Sequence, residues 1–329
     1  MRPLHVIAES ALPEPIGAAR LLHRDGRRLL ATGESGRLYR LDIDPEHLSV
    51  RALKTRVILD ASKITMLSAS DDFARLLVAK AGAGIRVLDV AAGAELFRDA
   101  SPANGWAILP DGSTLVHVLT AETRAVLLDD PDGAGAPPPF TTWHYAHEPR
   151  TTDHGEGEPS REETYHSLER AGDVVIQPLG GELGLYRVFI GCYGFAVAHL
   201  ATRIPPFGRV PGHSHVFGDF VYDPVRLVGP YGCERLFAIE GGGLGLSALE
   251  PDSGEQEHFP VRRGRGFIDA VVPCAGTPEA WVRTAEGPYW WSLRQGATRL
   301  PREATDVVAL YPNLLLCNMG AGRLVWATA

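Results

Sequence analysis

Two histidines one residue apart, His213 and His215, form the pattern in this chain that comes nearest to a metal-ligand set. In an extended segment, residues two apart point to the same side, so both imidazoles could meet one divalent ion. His144 or His147 would supply a third ligand, with Glu148 or Asp153 as a nearby carboxylate. Such a set would equip a metal-dependent or acid/base hydrolase or lyase. Nothing accompanies it: no H-E-x-x-H, G-x-S-x-G or phosphate-loop pattern occurs. The run GGGLGLS leads into a strand rather than a helix, so it lacks the amide cluster that holds phosphate. A lone H-x-H is more often a pair of solvated imidazoles, so no cofactor is expected, and a divalent metal is the alternative.

A second kind of chemistry is recognition. The stretch from Trp143 to Gly172 collects Trp143, His144, Tyr145, His147, His154, Tyr165 and His166, and the short run VRRGRGF carries Arg262, Arg263 and Arg265. Aromatic and arginine side chains contribute a large share of the energy of protein interfaces. The bland reading of each is that Trp143 anchors a strand and the arginines are solvated. Three arginines in a short loop could also meet phosphates. A formal net charge of −8 and an acidic neighbouring loop oppose nucleic-acid binding, which needs a basic surface.

The same charge balance gives no reason to expect an anionic membrane as partner. The start, MRPLHVIAESALPEPIGAA, has no apolar run of signal-peptide length, and no later run approaches a membrane span, so a cytoplasmic protein is expected. Cys192, Cys233, Cys274 and Cys317 contain no C-x-x-C pair and are expected to be thiols.

What positions these residues is a repeat. Seven times an apolar strand enters a turn, usually at glycine, and a second apolar strand follows. The turns fall at Gly36, Gly84, near Thr123, and at Gly194, Gly243, Gly287 and Gly322. They lie about 35 to 50 residues apart, except for one gap of about 71 that contains the Trp143 to Gly172 stretch. Each hairpin is preceded by another apolar run, such as ITMLSAS, GWAILPDG, GDVVIQPL, GFIDAVVP or DVVALYP. It is often followed by a fourth, such as LSVRALK, AELFRDA, EQEHFPV or ATRLPRE. Four strands per unit at this period make a propeller blade. The last unit stops after its third strand, GRLVWATA, whereas PLHVIAES at the start is a strand without a unit. Pairing the two removes two exposed edges.

Through this period, and most clearly through GIRVLDVAAGAELF with its Asp89, the chain resembles the WD40/YVTN-like class of β-propellers. The Trp-Asp dipeptide and Gly-His pair of true WD40 blades are absent. The expected fold is therefore all-β: one seven-bladed β-propeller domain over residues 1–329, closed by the N-terminal strand in the last blade. A tandem pair of β-sandwiches is the alternative. A short helical insertion at residues 143–172 is expected between the third and fourth blades, since Ser160, Arg161, Glu162 and Glu163 have the form of a capping box and Gly172 of a stop.

In such a ring, the connection leaving each outer strand emerges on the same face as the hairpin turns between second and third strands. The insertion, the connection ATRIPPFGRVPGHSHVFGD with His213 and His215, and the arginine loop are all expected there. Six of the twelve histidines would then share one face. The expected function is a non-catalytic scaffold for a protein or peptide partner, as a monomer or within a hetero-complex, with the hydrolase or lyase as alternative. Deleting residues 150–159 should leave cooperative thermal unfolding intact, because a polar, Gly-containing segment carries little core; loss of the transition would show the segment to be structural.

Overall fold

In a computed structural model of the chain, the described residues are 4–23, 25–60, 64–100, 105–119, 122–128, 141–144, 174–178, 185–191, 196–203, 214–217, 226–228, 235–239, 243, 245–250, 255–259, 267–274, 277–292 and 295–328. Their strands form seven four-stranded antiparallel sheets. The first sheet runs Ile16–Leu22, Arg28–Gly33, Arg37–Asp44 and Ser49–Ile58 from inside to outside, and five more sheets follow in the same manner along the chain. The inner strands of neighbouring sheets touch in sequence order. Among the described residues no α-helix occurs, and Arg302–Ala304 forms a 3-10 turn. The expected helix after Ser160 lies outside the described residues.

The seventh sheet is completed from the other end of the chain. Val307–Tyr311, Leu314–Asn318 and Arg323–Thr328 supply three strands, and His5–Ala11 pairs antiparallel with the last of them, His5 opposite Thr328 and Ala11 opposite Arg323. Beyond the strand, the Leu12 amide donates to the Gly322 carbonyl at 2.7 Å. Exposed Arg323 and Glu9 pair at 2.8 Å across the same two strands. Between the seventh and first sheets one core contains Trp326, Leu324, Leu316 and Tyr311 from one side and Leu29, Tyr39, Leu41 and Ile43 from the other, with Ala8 and Leu12 against it. The Tyr311 hydroxyl donates to the Gly26 carbonyl across this seam. Burial raises the Tyr311 pKa far above the ordinary phenol value.

The hairpin turns use glycine for two reasons at once. Gly36 has φ +80° and Gly84 φ +71°, conformations that cost other residues strain. A Cβ on Gly36 would lie 2.3 Å from the Leu59 carbonyl oxygen, and one on Gly84 would lie 2.1 Å from that of Asp99. The connection leaving the outer strand thus presses against the turn of its own sheet, as the Leu59 amide donating to the Gly36 carbonyl at 2.7 Å shows. In the third sheet the turn precedes Thr123, which already pairs within Glu122–Leu127.

At the opposite face, the turns between first and second strands carry a left-handed residue at matching places. Gly26 and Gly112 fill two of them, and Phe73, at φ 60°, fills the third. The strain at Phe73 is offset by burial: its ring meets His23 edge-on at 5.5 Å and lies under the Arg28 guanidinium at 5.7 Å, sealing the first sheet to the second. Buried His23 also meets Asp25 at 2.8 Å, and Arg28 reaches the Asp71 carbonyl at 2.8 Å. Removing residues 1–11 bares the edge of Arg323–Thr328. The expected result is a lower, broader melting transition and a loss of monomer by size-exclusion chromatography. Unchanged melting would show that the last sheet needs no fourth strand.

Candidate functional site

The face that gathers the hairpin turns and the connections leaving the outer strands, called here the turn face, is built around the closure seam. Glu14 stands in the connection from His5–Ala11 to Ile16–Leu22. Its Oε1 accepts from the Tyr39 hydroxyl at 2.6 Å and the Ser35 hydroxyl at 2.7 Å, and its Oε2 accepts from the Ser35 amide at 2.7 Å. One carboxylate thereby ties the connection to the hairpin turn of the first sheet. Gly33 makes room for it, since a Cβ there would fall 2.4 Å from the carboxyl carbon. The Ser35 hydroxyl, then the Tyr39 hydroxyl and the Ser35 amide, hold the Glu14 pKa below its ordinary value, and the same bond raises Tyr39.

A chain of polar contacts continues around the inner rim. Asp306 accepts from Arg20 at 2.6 Å and from the Asn318 amide group at 2.7 Å, joining the seventh sheet to the first. Arg283 pairs with Asp269 at 2.7 Å and donates to the Thr305 carbonyl at 3.0 Å, joining the sixth sheet to the seventh. Beneath it, the buried Trp281 indole donates to the Ala304 carbonyl at 2.9 Å. These groups are neutralised within the rim, so they brace the face.

Three large apolar side chains stand out from this braced face. Ile58, at the end of the outer strand of the first sheet, is 65% exposed; Phe267, entering the sixth sheet, is 61% exposed; Met319, in the hairpin turn of the seventh, is 40% exposed. Phe267 accepts through its carbonyl from the Ala285 amide at 3.1 Å, which fixes its backbone against the turn of its own sheet. The other exposed large hydrophobics among the described residues, Val6, Ile7 and Leu96, lie on outer strands.

The residues singled out from sequence divide. Trp143 and His144 end the outer strand of the third sheet, paired with Thr123 and Glu122 at the turn-face end. His215 lies in Ser214–Phe217, the outer strand of the fourth sheet, opposite Ala198. The connection at 204–213 therefore links the third and fourth strands of the fourth sheet instead of leading to the fifth. His215 thus belongs to an outer strand and not, as expected, to a connection leading to the fifth sheet. Tyr145, His147, Tyr165, His166, His213, Arg262, Arg263 and Arg265 lie outside the described residues. The described strands on either side of the three arginines are the outer strand Gln256–His258 and the inner strand Ile268–Pro273. Among the described residues, no three His, Cys, Asp or Glu side chains are grouped to hold a metal ion. Sequence reasoning missed Glu14, Ser35 and Tyr39, whose contact spans two sheets and has no local signature.

The β-propeller domain of Cps50 (Swd1) from Myceliophteria thermophila superposes with a TM-score of 0.57 at 15% identity, over 99% of this chain and 100% of that domain. The fold is a WD40-like β-propeller. No protein-family model and no curated relative matches the chain.

The Glu14 clamp makes a signed prediction. Because its folded pKa is lowered, its contribution is complete above the ordinary value of 4.5 and is lost as pH falls through the lowered folded value. Glu14→Gln should lower the melting temperature at pH 7, and the difference from wild type should shrink as the pH falls below 4.5. Gly33→Ala should reproduce the loss by displacing the carboxylate. The double variant should be less than additive; full additivity in thermal melts would show that the two act separately.

Proposed function

We propose that this propeller is a seven-bladed ring that acts as a non-catalytic interaction scaffold, presenting its turn face to a protein or peptide partner without a cofactor. The observation that carries this reading is the exposure of Ile58, Phe267 and Met319 on a face where Arg20 is braced against Asp306 and Arg283 against Asp269. Singly exposed apolar residues are ordinary; three on one face of consecutive sheets are a feature of interaction surfaces. The connections at the same face extend it: Trp143, His144, Tyr145, His147, Tyr165 and His166 on one side, and Arg262, Arg263 and Arg265 on the other. The partner is neither nucleic acid nor membrane in this reading, and the setting is cytoplasmic, with Cys274 and Cys317 buried as thiols. Burial pushes the Cys317 pKa up to about 12, which removes it from thiolate chemistry.

Photo-crosslinking tests the face. A benzophenone side chain placed at Phe267 should give a discrete, saturable adduct in an extract of the source organism, and the same group at Ala92, in an exposed turn of the opposite face, should not. Equal labelling at both positions, or none at 267, contradicts the proposal.

A further inference from the structure

We infer that the outer wall of the first sheet is a second interaction surface, whose open strand edge takes up an acidic, extended segment of a partner protein as a fifth strand. The inference is independent of the turn face. Ser49–Ile58 ends its sheet, and among the described residues no strand pairs with its outer side. It spans 10 residues, whereas the other outer strands span three to seven described residues. An edge strand of that length presents a row of backbone amides and carbonyls to which another chain can pair. One end of it is covered: a Cβ on Gly93, in a turn of the second sheet, would lie 3.2 Å from the Arg56 carbonyl oxygen. The Thr55 carbonyl accepts from Arg37 at 3.2 Å, so the open stretch is Ser49–Lys54.

The charge along this edge decides the occupant. Arg51, Lys54 and Arg56 are exposed, and among the described residues no hydrogen bond or ion pair engages their side chains. The carboxylates of the same hairpin and of the connection after it are engaged. Asp42, directly opposite Arg51, is held by Arg40 at 3.0 Å, Asp44 by His47 and Glu46 by Arg27 each at 2.8 Å, and Asp60 by Lys80 at 3.7 Å. With Arg40, Arg27 and Lys80 matched to three of these carboxylates, Arg51, Lys54 and Arg56 leave the wall positive even when His47 is neutral. The covering turn, Val90 to Ala94, carries no charge, and the neighbouring closing strand His5–Ala11 adds one matched pair, Glu9 with Arg323. Like charges along an edge repel a second copy of the same strand and attract one that carries carboxylates. Arg51 and Lys54, three apart, point to opposite faces of the sheet. An added strand therefore meets a cation on each face, and on the face of Lys54 its apolar side chains extend the surface of Val50 and Ala52, which pack on the closure core.

The test is selection of random peptides, displayed on phage, against the immobilised full chain, followed by fluorescence polarisation of the enriched peptides as synthetic, labelled copies. Enriched sequences should be net negative, with apolar residues at alternate positions. Arg51→Gln together with Lys54→Gln should weaken them about tenfold and flatten the dependence on salt. N-methylation of alternate peptide amides should abolish binding in one register and spare it in the other, a period-two pattern that a purely electrostatic contact does not give. Both replaced side chains are exposed, so melting of the double variant should match wild type and separate lost binding from lost folding. Phe267→Ala should leave the affinity unchanged; loss of binding in that variant puts the peptides on the turn face, which overturns this inference and leaves the earlier reading standing. Enrichment of basic or neutral peptides, binding that survives the double replacement, equal loss in both methylation registers, or tighter binding of a labelled single-stranded oligonucleotide than of the peptides overturns it, as does an empty selection.

Discussion

Closure of the last sheet by the first strand is the constraint on which the rest of the structure depends. The outward edge of Arg323–Thr328, the third strand of the last sheet, is paired by His5–Ala11. Bringing the two ends of a chain of this length together costs about 5 kcal/mol in chain entropy. The seam recovers this readily, since truncation of a single buried aromatic of the kind represented by Trp326 costs about 3–5 kcal/mol. The contacts at the seam also bring Glu14, Ser35, Tyr39, Arg20 and Asp306 into register. Closure and the shape of the turn face are therefore consequences of the same pairing.

The division of labour between the two faces follows from how the turns are made. On the turn face, glycines with positive φ allow the outgoing connections to lie directly on the hairpins, so that the backbone there is held on both sides. Side chains such as Ile58 and Phe267 then project from a rigid base, which lowers the entropy lost when a partner orders them. On the opposite face the first and second sheets are sealed by the Phe73, His23 and Arg28 contact, where a strained aromatic stands at the place that glycine takes in the first and third sheets.

Much of the architecture was legible in the sequence because its signals are local. The hairpins announce themselves through alternating apolar strands around Gly36, Gly84 and Gly322, and the missing fourth strand follows from counting. The site was less legible. Ser214–Phe217 is a short strand bearing two polar residues, and the residues before it have the composition of a link between sheets, so the place of His215 in an outer strand is hidden from the sequence. The Glu14 clamp joins residues 21 and 25 positions apart across a sheet boundary, and no periodicity encodes such a pair. Exposure of Ile58 and Phe267 is equally invisible, because both belong to runs that read as ordinary strand ends.

The most direct test of the account is native-state hydrogen exchange, followed by mass spectrometry, at the amides of His5–Ala11 and Arg323–Thr328. If closure is the common support, both segments exchange only with global unfolding, and their protection falls together when Glu14 is replaced by Gln. Fast exchange of His5–Ala11 while Leu314–Asn318 stays protected would contradict it, because the ring would then hold without its first strand.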